Sequence, residues 1–166
     1  MLDSDMEAAL NRQFNWEQTA AQEYLAMSAW FEDQSLRGFA GFMRKQCEEE
    51  TEHAMRIHDY LCQRGGRVRP GAVAAPALDF DSPRMVFEAA QSRERANTKA
   101  IHELYHLAAE KRDMATQIML HWFIAEQVEE EGWCDEALAL LEMVGDNKSA
   151  MLMLDSRYGK EAREPG

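Results

Sequence analysis

Four stretches of this chain carry residues spaced alternately three and four apart, and all four series share one interruption. They are Leu10, Phe14, Glu17, Ala21, Tyr24, Ser28, Phe31; then Phe39, Met43, Gln46, Glu50, His53, Ile57, Tyr60; then Phe87, Ala90, Glu94, Asn97, Ile101, Leu104, Ala108; and Leu120, Phe123, Gln127, Glu130, Cys134, Ala137, Leu141, Val144. Such spacing keeps side chains on one face of an α-helix. Sustained alternation is the seam of a left-handed bundle. Each seam is apolar toward its ends and polar near its middle. The chain is thereby restricted to a helix bundle whose polar positions meet at one level.

The 166 residues suit one all-α domain over 1–166. Helices are expected at about 5–34, 38–64, 83–110, 114–144 and 147–157. Gly65 and Gly66 stop the second helix; Ser82 and Pro83 start the third as N-cap and first residue. Residues 67–81, with Pro70, Gly71 and Pro76, read as an extended loop. A helix of about 28 residues is roughly 42 Å long, and about 16 extended residues reach roughly 50 Å. The loop can therefore run back along the whole bundle. Short first–second and third–fourth turns make antiparallel hairpins, and the long crossover makes the second and third helices parallel.

Composition excludes several partners. A net charge of -12 argues against nucleic acid, whose phosphates need clustered Lys and Arg. No run of about 18 apolar residues predicts a membrane span, and Met1 to Met6 lack a signal pattern. Three unpaired-looking cysteines, Cys47, Cys62 and Cys134, point to a reducing compartment. That is the cytoplasm, or another such compartment if a transit peptide was removed. Met151, Leu154 and Tyr158 form an apolar stripe on a helix too short to stand alone. It must dock, and a neighbouring subunit is expected to receive it.

The chemistry lies in the shared interruption. Glu17, Glu50, His53, Glu94 and Glu130 fall on the inward seams. A core does not bury four carboxylates and an imidazole unless they are paired or bind metal. Glu50 and His53 form Glu-x-x-His, which lets one ion be gripped from one helix face. Glu17 and Glu94 each add a carboxylate, and Gln127 and Glu130 repeat the three-residue spacing. This is a two-metal bundle centre of known pattern, except that Gln127 and Glu130 replace a second Glu-x-x-His. One position thus has nitrogen and oxygen donors and suits iron; the other is all oxygen and holds Fe(II) more loosely. Glu50 is the natural bridge. Glu49, Glu126 and Glu129 lie beside these positions as an outer, third metal site. Tyr24, one heptad after Glu17, is placed to hydrogen-bond a carboxylate or to supply an electron. Trp16, Trp30, Trp122 and Trp133 read as packing or interface residues, and His58, His102, His106 and His121 as structural or exposed. A purely structural network of Asn97, Gln46 and Gln127 would leave four glutamates without cations, because no Lys or Arg lies on a seam.

The segments NWEQTAAQEYLAM, CEEETEHA and WFIAEQVEEE make the chain resemble the non-haem bacterial-type ferritins over nearly its whole length. The resemblance implies a ferritin-like four-helix bundle with one long crossover and a short fifth helix, in a cage of 24 copies. It implies a ferroxidase that oxidises Fe(II) with O2 or hydrogen peroxide and stores ferric mineral. Glu17, Glu50, His53, Glu94, Gln127 and Glu130 then map onto the di-iron centre, and Glu49, Glu126 and Glu129 onto a third iron site. Haem is not expected: bacterioferritins carry Met after the bridging Glu, where Thr51 stands here, and His at the position of Glu130. The chain lacks the Cys-x-x-Cys pairs of rubrerythrins. The acids of animal three-fold pores are matched here by Gln117 and Leu120. The alternatives are a non-catalytic cage subunit that nucleates mineral, and a rubrerythrin-like di-iron peroxidase or oxidase.

Overall fold

A computed structural model describes residues 2–163, so the outermost residues of the expected 1–166 domain lie outside it. Five helices follow in order: α1 Ser4–Asp33, α2 Arg37–Gln63, α3 Pro83–Glu110, α4 Met114–Val144 and α5 Lys148–Glu161. The described residues contain no strand. None of the helices is long and apolar enough to cross a membrane.

Local chemistry sets the helix ends. Asp3, Ser82, Asp113 and Asn147 cap α1, α3, α4 and α5, each side chain accepting from a backbone N–H in the first turn. The start of α2 has no local side-chain cap at Leu36. Asp155 of α5 reaches across instead and accepts from the Phe39 N–H at 2.8 Å. That also places a negative charge at a helix N-terminus. The ends of α1, α2 and α3 share a Schellman pattern, in which Leu36, Gly66 and Asp113 donate back to Phe31, Leu61 and Ala108. Its left-handed residue is Gly65 after α2, but Ser35 after α1 and Arg112 after α3.

The bundle has two apolar cores with a polar layer between them. One core joins Phe31 of α1, Phe39 and Met43 of α2, Phe87 of α3 and Leu141 of α4. The other joins Leu10, Ile57, Ile101 and Leu120. The end of α1 thus meets the starts of α2 and α3 and the end of α4. The two hairpins are antiparallel and α2 runs parallel to α3, as the loop length predicts. Every seam residue is buried except Tyr60 and Val144, which are half-buried. The crossover lies along α1. Asn11 donates to the Arg67 carbonyl and accepts from the Arg69 N–H, and Asn15 does the same with Arg69 and Gly71, at 2.6–3.0 Å.

α5 docks within its own chain, which corrects the expectation of a neighbouring subunit. Leu154 and Tyr158 are buried in the core at the end of α1, and the Tyr158 ring lies 4.9 Å from Phe42 and 5.2 Å from Phe39. Gly38 permits the crossing: a Cβ there would sit 1.7 Å from the Asp155 carbonyl oxygen. α5 also runs on to Glu161, because Tyr158 extends the stripe into that core.

Candidate metal centre

Glu17, Glu50, His53, Glu94 and Glu130, together with Gln127, are all buried in the layer between the two cores. α1 and α3 pack closely, whereas no Cα of α2 comes within 8 Å of α4 among the described residues. The polar layer opens through that wider seam. A groove of about 950 Å³ leads outward there, lined by Glu49, Glu52, Glu126, Glu129, His53 and Trp122 among others.

One half of the layer converges on a cation-shaped gap. Ligand atoms of Glu17, Glu50 and His53 lie within 4.8 Å of one another. His53 Nδ1 is 3.4 Å from Glu50 Oε2, yet neither atom has a hydrogen-bond partner although both are buried. Gln46 Oε1 is in the same condition. Orphaned lone pairs at this depth carry a large desolvation cost, which a metal ion would remove. Two carboxylates and an imidazole suit Fe(II). Burial, followed by the Glu50 charge, raises the Glu17 carboxyl well above the usual range. Burial, followed by the Glu94 charge, does the same to Glu50. Each such carboxylate disfavours the charge of the other, and a cation between them would relieve that.

The other half is held by neutral donors. The Tyr24 hydroxyl donates to Glu94 Oε1, and the Gln127 amide donates to Glu94 Oε2 at 3.3 Å. Trp133 Nε1 donates to Glu130 Oε2 at 2.6 Å. Burial raises Glu94, and the Tyr24 and Gln127 bonds pull it back. Burial and the Glu94 charge push Glu130 up to about 8, with Trp133 opposing them. Burial and Glu94 also hold the Tyr24 phenol protonated, well above its usual range. Tyr24 is therefore a carboxylate donor, one of its two anticipated roles. Gln127 Oε1, the atom that would ligate, accepts from Asn97 Nδ2 at 3.3 Å.

The outer acids divide differently from the sequence pattern. His53, Glu126 and Glu130 bring ligand atoms within 4.8 Å. Glu49 and Glu129 line the adjoining groove. Glu49 is engaged by Gln46 Nε2 at 2.6 Å and Lys45 at 3.9 Å. Glu131 is half-buried and accepts from Thr98, which in turn accepts from Gln127 at 3.2 Å. His58, His102, His106 and His121 lie away from the layer; His121 stacks on Tyr105.

Three contributors escaped the seam pattern. Gln13 donates to Glu17 Oε1 and to Asn97 Oδ1, both at 2.7 Å. Trp133, read as packing, is a carboxylate donor. Arg93, off the seam, supplies a nine-tenths-buried guanidinium stacked 4.4 Å over Trp16, and its charge lowers Glu50 and Glu94. Cations are therefore scarce near the layer but not absent. The only signal in the sequence was adjacency: Gln13 is four residues before Glu17, Trp133 three after Glu130, and Arg93 one before Glu94.

Comparison with known proteins agrees with this geometry. The profile of the ferritin-like domain matches residues 7–144. The chain is 36% identical over 159 residues to a bacterial non-heme ferritin of Staphylococcus aureus strain USA300, covering 96% of each chain. It is 36% identical over 155 residues to a bacterial non-heme ferritin of Staphylococcus saprophyticus, covering 93% of each. Among solved structures, an open pore ferritin from the hyperthermophilic archaeon Archaeoglobus fulgidus matches with a TM-score of 0.95 at 41% identity, over 96% of this chain and 98% of that one. A closed form of that ferritin, engineered by site-directed mutagenesis, matches with a TM-score of 0.94 at 40% identity, over 96% and 97% of the two chains.

Proposed function

We propose that this chain, which belongs to the ferritin family, is a ferroxidase that binds two Fe(II) ions in the polar layer and oxidises them. The observation that carries this reading is the convergence of Glu17, Glu50 and His53 within 4.8 Å, with Glu50 Oε2 and His53 Nδ1 buried and without a hydrogen-bond partner. Glu17, Glu50 and His53 hold one ion. Glu50, Glu94 and Glu130 hold the other, and Glu50 bridges them. Charge supports the stoichiometry: four carboxylates, when ionised, carry -4, which two divalent ions neutralise.

Iron here is substrate. Two Fe(II) ions give one electron each to one O2, which with two protons leaves as hydrogen peroxide; alternatively peroxide is the oxidant and leaves as water. The protein's part is positioning and electrostatics. The two apolar cores exclude water from both ends of the layer. Oxidation raises the ionic charge from +4 to +6 against the same -4, which favours passage of ferric product toward the acid-lined groove. His53, Glu126 and Glu130, with Glu49 and Glu129 nearby, offer a third position on that route, and Gln127 reaches an ion only by giving up Asn97. Membership of the ferritin family leads us to expect storage of the product as mineral inside a homo-oligomeric cage of 24 subunits, in the cytoplasm.

Stopped-flow absorbance after adding two Fe(II) per subunit to aerobic apo-protein tests the reading, with Glu50→Ala as control. Fast oxidation in the parent and slow oxidation in the variant is the expected result. Equal, slow oxidation in both overturns ferroxidase activity and leaves a mineral-nucleating subunit. Light scattering of the purified protein tests the cage: a mass near 24 chains is expected, and a dimer overturns it.

A further inference from the structure

Tyr24 and Trp133 come from different helices, pack against each other at 6.3 Å between ring centroids, and donate to different carboxylates of the same half-layer. Trp133 cannot turn away from Glu130. Its indole is fixed edge-on by Phe42, with centroids 5.1 Å apart, and by Phe87 at 6.3 Å. An indole nitrogen donates and never accepts. Its bond to Glu130 Oε2 is 2.6 Å long, short for an N–H donor. One oxygen of Glu130 is thereby committed and the other is left for metal.

Glu130 is also the residue with two possible allegiances. It is buried in the same layer as Glu94, and with the Trp133 bond in place a ligand atom of Glu130 lies within 4.8 Å of those of His53 and Glu126. A flexible carboxylate there would swing between them. We propose that Trp133 is a positioning residue that holds Glu130 as a one-oxygen metal ligand and fixes where its free oxygen stands between Glu94 and the outer group. This inference rests on the reading of Glu130 as a ligand. Groups that orient ligands from behind typically change metal affinity by about 10–100-fold when removed.

The test is anaerobic Co(II) titration of the assembled apo-protein, followed by visible absorbance, for the parent, Trp133→Phe, Trp133→His, Glu130→Ala and the double variant Trp133→Phe/Glu130→Ala. Phe keeps the ring packing and removes the donor. His keeps a ring N–H. We expect Trp133→Phe to weaken the second Co(II) step at least about 10-fold, leave the first step unchanged, and be partly rescued in Trp133→His. In the double variant the Trp133 change should add nothing to Glu130→Ala, because the effect runs through that carboxylate. A second step unaltered in Trp133→Phe, or both steps weakened alike, overturns the positioning role. If Glu130→Ala itself leaves both steps intact, the assignment of Glu130 as a ligand fails, and this inference fails with it.

Discussion

The two halves of the polar layer contain the same kind of acid at the same depth, yet the protein satisfies them unequally. Glu94 and Glu130 rest on Tyr24, Gln127 and Trp133, which are neutral donors. In the other half Gln13 and Asn97 hold Glu17, but Glu50 Oε2 and His53 Nδ1 face each other across 3.4 Å with no hydrogen-bond partner. Uncompensated lone pairs and like charges store free energy that a cation releases, whereas satisfied carboxylates are ordered beforehand. The Glu94–Glu130 half is prearranged by donors, and on the proposed reading the gap between Glu50 and His53 is completed by metal.

Neutral isosteres give the largest contrast. Glu50→Gln removes a buried like charge, so apo-protein at pH 8 should unfold at a higher temperature than the parent while losing fast Fe(II) oxidation. Glu94→Gln should gain less, because only one of the two oxygens that accept from Tyr24 and Gln127 remains an acceptor. Calorimetry of both variants decides the matter; an equal gain in both erases the distinction.

The pH dependence is the next largest effect. In each of these four glutamates the folded state holds its proton to a higher pH than the unfolded chain does, Glu130 to about 8. Their protonated forms therefore favour folding below the ordinary carboxylate range, and that contribution is lost as pH rises through the folded values. Apo-protein should melt at progressively lower temperature between pH 5 and about pH 9. Saturating Co(II) should flatten the decline and release protons on binding, detectable by calorimetry in buffers of different ionisation enthalpy. An apo melting temperature that climbs over this range contradicts the assignment.

Tyr24→Phe makes the smallest change, one hydrogen bond. Loss of a bond to a charged acceptor costs about 1.5–3 kcal/mol. The second Co(II) step should weaken while the first is kept. If the first weakens instead, Tyr24 serves the wrong half for this account.

How much of this could be read from residues alone follows from what periodicity measures. Seam spacing reports where Cα–Cβ vectors point, so the bundle, both cores and the five inner residues were legible. Long side chains starting beside the seam were not. Gln13 and Trp133 reach the layer from flanking positions, and Arg93 from the far side of Glu94. Turn chemistry was legible at Ser82, Pro83 and Gly65, where residue type dictates backbone. It was hidden at Ser35 and Arg112, which take left-handed angles because a Schellman ending demands them. The Asp155 cap was also hidden, since a contact between residues 116 apart has no local signature.

The two asparagines on α1 have a consequence for how copies of the chain share parts. A long crossover between two hairpins is the sort of hinge through which neighbours exchange halves. Asn11 and Asn15 act as a short artificial strand edge, each both giving and taking a bond with alternate residues of the crossover. They fasten the crossover to the hairpin it has just left, so each polypeptide closes on itself. On the proposed reading every bundle then owns its ligands from one chain, and iron loading should count chains rather than pairs of chains.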